Sequence, residues 1–320
     1  MKGNLIVSLD FELFWGMQDV IKFEDYKNNI LGGRKAIPEL LKLFQKYDIH
    51  ATWAVVGFMF ANDFEHLKKY FPSKEKMPSY DNMSLSTYRC FDKIGKNEKE
   101  EPCFYARSLI DLIDKTPGQE IGSHTFSHYY CRESGQTVEQ FEADMCAAKR
   151  IANDEGFDLT SVVLPRNQCE AEYINVLSKL GFTAYRDEEN DWIHEKIKIR
   201  PVMRFLRLLD VYFPLTGKGG YIPNKENDIW NITGSRMYKA YFKPLKIMEF
   251  LKIRRIKKQM HNAAKNGLTF HLWWHPHNIG AYSQIHFEQL EKIFRYYEKL
   301  KDKYAMQSMN MRELVSDLEK

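Results

Sequence analysis

Residues 4–11, NLIVSLDF, form a short β-branched apolar run that meets a carboxylate at Asp10, and this run constrains the fold most tightly. It suits a strand buried on both faces, the kind found in parallel sheets with helical crossovers. After a polar loop, RKAIPELLKLFQKYDI places Ile37, Leu40, Leu41 and Phe44 on one helical face, and HATWAVVGFMF then reads as a second strand. The order β, α, β at this spacing predicts parallel pairing.

The unit recurs along the chain. ARSLIDLIDKT predicts a helix, GQEIGSHTFSH a strand, and TVEQFEADMCAAKRIANDEG a long amphipathic helix stopped at Gly156. LTSVVLPRNQ reads as a strand, AEYINVLSKLG as a helix and FTAYRD as a strand. Near the end come a strand in GLTFHLWWHPHN, a helix in QIHFEQLEKIFRYYEKLKDKY, and a strand-like start with a short helix in MQSMNMRELVSDLEK. A chain of 320 residues with 44% hydrophobic residues buries a sizeable core, and α/β barrels reach this size as one domain. Residues 1–320 are therefore expected to form a single α/β domain. Two stretches break the rhythm: 61–100 reads as an insertion after the second strand, and 190–243 as an irregular excursion on the substrate side.

The net charge of +4, from 47 basic and 43 acidic residues, is too even for a nucleic-acid binder. The five cysteines (Cys90, Cys103, Cys131, Cys146 and Cys169) are scattered and form no C-x-x-C pair, as expected of free thiols in a reducing compartment. MKGNLIVSLD lacks the long apolar core of a signal peptide, and no stretch approaches the ~20 apolar residues of a membrane span. A cytoplasmic location is the expectation. One helix, near 244–260, has seven Lys or Arg between Lys243 and Lys258. It fits either a crossover helix with a solvated basic face, the commoner case, or a peripheral contact with an anionic membrane carrying a lipid-linked substrate.

Ligands of parallel α/β sheets gather at the carboxyl ends of the strands. The polar residues directly after β-runs are Asp10 and Glu12, His124 and His128, Arg166 and Asn167, Asp187, and His275 and His277. A carboxylate with two imidazoles is a ligand set for catalytic zinc, with one position left open for water. His124 and His128 are candidates for two ligands, and Asp10 or Glu12 for the third. The other carboxylate is then placed to orient or deprotonate water, and a histidine from another strand end to protonate a leaving group. Asp10 and Glu12 straddle Phe11, so strand alternation puts both on one face. His271, deeper in its strand, fits a satisfied core residue. Trp15, Asn167, Trp273 and His277 are candidate substrate contacts, with packing the competing role for the tryptophans.

Assembled, these residues resemble the polysaccharide deacetylase family (carbohydrate esterase family 4, NodB homology), from LIVSLDFE to HLWWHPHN and on to the terminal helix. The resemblance implies a distorted (β/α) barrel with fewer than eight strands, NodB-like (β/α)7, with loop insertions. It also implies removal of acetyl groups from N-acetylated sugars with a divalent metal, usually zinc. Asp10-Phe11-Glu12 is similar to the spaced form of the first motif, shared by peptidoglycan-deacetylase-like and allantoinase-like members. It implies Asp10 as base and Glu12 as ligand, with glutamate where the family has aspartate. HTFSH is similar to the second motif and implies His124 and His128 as ligands. VLPRNQ keeps Pro165 of an R-x-P motif but has Val163 in the arginine's place, which leaves Arg166 as the implied partner of Asp10. YRDEENDW is loosely similar to an acidic motif ending in Asp-Trp. His275, before Pro276, is the implied general acid, with His277 in reserve. The expected activity is metal-dependent deacetylation of an N-acetylated sugar or glycan precursor. The rivals are an amidase on a small non-sugar C–N substrate and a non-catalytic carbohydrate-binding relative.

Overall fold

A computed structural model describes residues 2–188, 192–197, 199–217 and 219–320 of the chain. NLIVSLDF is strand β1 (Asn4–Phe11), buried along almost its whole length. The further strands are β2 (Ala51–Val55), β3 (Gln119–Ser123), β4 (Ser161–Val163), β5 (Ala184–Arg186), β6 (Asn224–Glu226), β7 (Ile229–Asn231), β8 (Arg236–Met237), β9 (Thr269–Trp274) and β10 (Gln307–Met309). They pair in the order β6-β7-β5-β4-β3-β2-β1-β9-β8, with β10 also on β1, and every pairing except β6–β7 is parallel.

The protein is thus a mixed α/β structure built on a parallel sheet. The regular ladder stops between β7 and β8, but one segment bridges that gap. Ile232 N and Gly234 N donate to the carbonyls of Tyr185 and Asp187, each at 2.8 Å, on the β5 side. Ser235 N and Tyr238 N donate to the carbonyls of His271, at 2.9 Å, and Trp273, at 2.8 Å, on the β9 side. The two ends of the parallel run therefore meet on residues 229–238.

Register decides which side chains share a rim. Asp10 stands opposite Ala54, Val55 opposite Ser123, Val163 opposite Arg186, and Leu9 opposite Trp274. The carboxyl ends of β1, β3, β5 and β9 are level, so Asp10, His124, Arg186 and His275 emerge at one edge.

The first helix runs Phe23–Lys46, starting earlier than its apolar period predicts, because Ile30 also packs inward. Its Gly33 touches the turn after β9: a Cβ there would lie 2.8 Å from His277 Cα. That close approach fixes the backbone carrying His275 and His277.

Both interruptions carry more structure than expected of them. Segment 61–100 contains the helix Phe64–Lys68 and three short 3-10 turns. It sends Phe91 into a cluster with Trp15 and Phe58, with ring centroids 5.3 and 5.1 Å away. Segment 190–243 holds β6 to β8 and the helix Arg200–Tyr212. Val202, Phe205 and Leu208 of that helix are exposed, so its apolar residues do not form the buried stripe that sequence reading looks for. Among the described residues, no helix is long and apolar enough to cross a membrane.

Candidate active site

Glu12 follows β1 and is buried, its carboxylate lying over Gly16, where a Cβ would fall 2.1 Å from Glu12 Cδ. The longer glutamate side chain fits because position 16 has none. Glu12 Oε2 lies 3.0 Å from His128 Nε2 and 3.3 Å from His124 Nε2. The three ligand atoms all fall within 4.8 Å of one another.

His124 and His128 leave β3 through a turn in which Thr125 (φ 63°) and His128 (φ 57°) adopt left-handed backbone conformations. Non-glycine residues take these only when the surroundings enforce them. Asp144, buried on the helix Val138–Asp154, supplies that enforcement. It accepts from Phe126 N at 2.7 Å and Ser127 N at 3.2 Å, and from the Ser127 hydroxyl. Burial raises the Asp144 carboxyl to about 6 despite these donors. In the sequence, an acid at the inward position after Phe141 was the available signal, and sequence reading passed over it.

His124 Nδ1 lies 2.8 Å from the Val163 carbonyl, so Nδ1–H donates there and Nε2 is left facing Glu12. Burial, opposed by Glu12, lowers the His128 pKa and favours the neutral ring that a metal requires. For Glu12, burial pushes the carboxyl up, but His275 and the two imidazoles reverse this and hold it well below the ordinary range. One carboxylate and two imidazoles, all buried, make a donor set that fits a divalent cation.

Asp10 is gripped by Arg186, not by Arg166. Arg186 Nη1 donates to Asp10 Oδ1 at 2.6 Å and Nη2 to Oδ2 at 2.8 Å, inside the protein. Burial raises the Asp10 carboxyl, and Arg186 with His275 outweighs it, leaving a net lowering. Arg166 lies in the turn Pro165–Asn167 with φ 57°, which turns it outward. There it pairs with Glu133 at 2.8 Å and with Asp19, 4.1 Å above the Tyr130 ring. Arg186 ends β5 within FTAYRD, beside the Asp187 that sequence reading selected; a basic residue closing an apolar strand was the missed signal. Asp187 Oδ1 accepts from Glu188 N at 2.7 Å, while residues 189–191 of the acidic motif lie outside the described residues.

His275 Nε2 stands 3.6 Å from both Asp10 Oδ2 and Glu12 Oε1, and its side chain is 21% exposed. The four expected substrate contacts separate. Trp273 lines a cavity of about 260 Å³ beside the site, and Arg186 stacks 4.1 Å over its ring. Asn167 also lines that cavity, but its Oδ1 accepts from Arg186 Nη2 at 3.0 Å, so it holds the arginine. His277 is buried beneath His275, ring centroids 5.1 Å apart, and burial lowers it to about 3. Trp15 is fully buried, donating to the Phe104 carbonyl at 2.8 Å within the aromatic cluster, and touches no cleft. His271 is the core residue expected, 2.7 Å from Ser8 Oγ and 3.0 Å from the Ile232 carbonyl.

Fold and donor set together define an α/β protein with a candidate metal centre at the carboxyl rim of its sheet. Solved structures share the architecture. A Mycobacterium smegmatis protein described as a polysaccharide deacetylase aligns with TM-score 0.60 and 10% identity over 99% of this chain and 91% of its own. One from Pseudomonas aeruginosa PAO1, described likewise, aligns with TM-score 0.54 and 11% identity over 98% and 89%. Puue allantoinase aligns with TM-score 0.52 and 13% identity over 98% and 88%. At these identities the likeness is one of fold. No curated protein matches. The sequence model described as polysaccharide deacetylase matches residues 20–185, just over half of the chain, and the chain belongs to that family. The matched span includes His124 and His128; Asp10, Glu12 and His275 lie outside it.

Proposed function

We propose that this chain is a metal-dependent hydrolase that removes an acetyl group from an N-acetylated sugar or glycan precursor. The observation that carries the reading is convergence: the Glu12–His124–His128 donor set, Asp10 and His275 meet at one rim, with His275 Nε2 3.6 Å from both carboxylates. Glu12 Oε2 and the Nε2 atoms of His124 and His128 would hold the ion, and zinc suits two imidazoles and a carboxylate. Such an ion supplies Lewis acidity and lowers the pKa of water from 15.7 to roughly 7.

Asp10, ionised and fixed by Arg186, orients the attacking water and takes its proton at Oδ2. His275, partly exposed where substrate enters, gives a proton through Nε2 to the departing amine. Trp273 offers the cavity an apolar wall of the kind that sugar-sized ligands pack against. The reading takes residues 1–320 as one catalytic domain, acting in the cytoplasm in keeping with its scattered cysteines.

Metal analysis coupled to acetate release from a panel of N-acetylated glycans tests the proposal. His124→Ala and His128→Ala are expected to abolish release with the fold retained, whereas full activity in metal-stripped protein overturns the reading. Turnover of ureides or formamides without acetylated glycans selects a small-substrate amidase. A chain that takes up no divalent ion is a non-catalytic relative.

A further inference from the structure

A second charged surface lies away from the metal ligands. An open groove of about 890 Å³ runs between the helices Glu249–Asn266 and Ser283–Tyr304. Arg254, Lys257, Lys258, Lys265 and Lys292 line it, and none of the five has an acidic partner among the described residues. The acid among its lining residues, Glu249, is buried and already bound by Lys252 at 2.6 Å and Gln289 at 2.9 Å. Burial, with Lys292, Lys299 and Arg295 nearby, holds the Lys257 ammonium below its ordinary value, a sign of gathered like charge.

At the head of the groove, FKPLKIMEF interleaves cations with projecting apolar side chains. Phe242, Ile247 and Phe250 are 48%, 80% and 62% exposed, beside exposed Lys243 and Lys246. A nucleic acid or acidic polysaccharide would engage the cations and leave these apolar groups in water. The headgroup layer of an anionic bilayer takes both, cations to phosphate and apolar tips between lipids.

We propose that the helix Glu249–Asn266 and the turn before it form a docking face for an anionic membrane surface. The other side of the helix Glu249–Asn266, through Lys252 and Arg255, lines the cavity that ends at Trp273.

Co-sedimentation of the full chain with phosphatidylcholine vesicles, with and without phosphatidylglycerol, tests this. Partitioning onto the anionic vesicles alone, weakening with salt, is expected. Each basic residue near such a surface contributes about 1 kcal/mol, or roughly fivefold, so Arg254→Gln/Lys257→Gln/Lys258→Gln should lower partitioning roughly 100-fold. Ile247→Ser/Phe250→Ser, with every charge kept, should lower it roughly tenfold. Circular dichroism and thermal melting check that both variants stay folded. Equal binding to neutral vesicles, no binding to anionic ones, heparin or DNA binding in place of vesicle binding, or a dimer that hides the face each overturns the proposal. The assay uses no substrate, so its failure is separate from failure of the hydrolase reading.

Discussion

Arg186 clamps Asp10 through both guanidinium nitrogens, Nη1 to Oδ1 at 2.6 Å and Nη2 to Oδ2 at 2.8 Å. A planar fork matches a carboxylate in a way that an ammonium does not. Arg186→Lys keeps the charge but loses the fork and the Asn167 contact. Hydrogen bonds to charged groups contribute about 1.5–3 kcal/mol, so kcat for acetate release should fall roughly 10–100-fold. Arg166→Gln, outside this contact, should leave kcat within a few-fold. The opposite ranking of the two variants would return the orienting role to Arg166.

Glu12 reaches the imidazoles over a glycine. Gly16→Ala would bring a methyl group into the carboxylate, at 2.1 Å from Cδ before relaxation. Displacing a ligand's support typically costs 10–100-fold in metal affinity, and a loss of roughly that size is expected in zinc titration calorimetry. Glu12→Gln should lose more. Unchanged affinity in both would remove Glu12 from the ligand set.

His275 is placed to protonate a leaving group, and its removal should depend on what leaves. His275→Asn is expected to lower the rate on an acetamide by roughly 10²–10⁴-fold. On an aryl acetate, whose leaving group needs no proton, the loss should be much smaller. Equal losses on both substrates would point to a binding role.

Asp144 fixes the HTFSH turn from a neighbouring helix. Asp144→Ala strands the amides of Phe126 and Ser127 inside the protein, at about 1–3 kcal/mol for each unsatisfied group. A lower Tm and a weaker zinc affinity should appear together, because the same turn aims His128. A drop in Tm alone would limit Asp144 to stability.

Stability at the opposite end of the sheet should follow pH through His50. Its Nδ1 lies 2.7 Å from Glu313 Oε2, which raises the imidazole pKa against the effect of burial, with Asp48 adding to the rise. Raised folded affinity for the proton means that the contribution is complete below the unfolded value of about 6.5. It is lost as pH rises through the higher folded value. Glu313→Gln keeps the capping pattern at Asn310, so melting curves should show a larger Tm loss at pH 5.5 than at pH 9. An equal loss at both would assign Glu313 to the cap alone.

Elements whose cause is local are legible in the residues alone. Apolar runs set β1, β2, β3 and β9, helical periods set most crossovers, and the strand-end position singled out Asp10, Glu12, His124, His128 and His275. Those signals sit within a few residues of the groups they locate. Tertiary structure alone decided which arginine holds Asp10. Arg186 is 176 residues away in the chain, and only the β4–β5 register together with the left-handed backbone at Arg166 brings one in and turns the other out. It also decided that Trp15 is core, because Phe58, Phe91 and Phe104, brought from three separate segments, close over its ring. Local pattern reports which face a residue prefers; which partner waits there depends on register and on side chains that distant segments deliver.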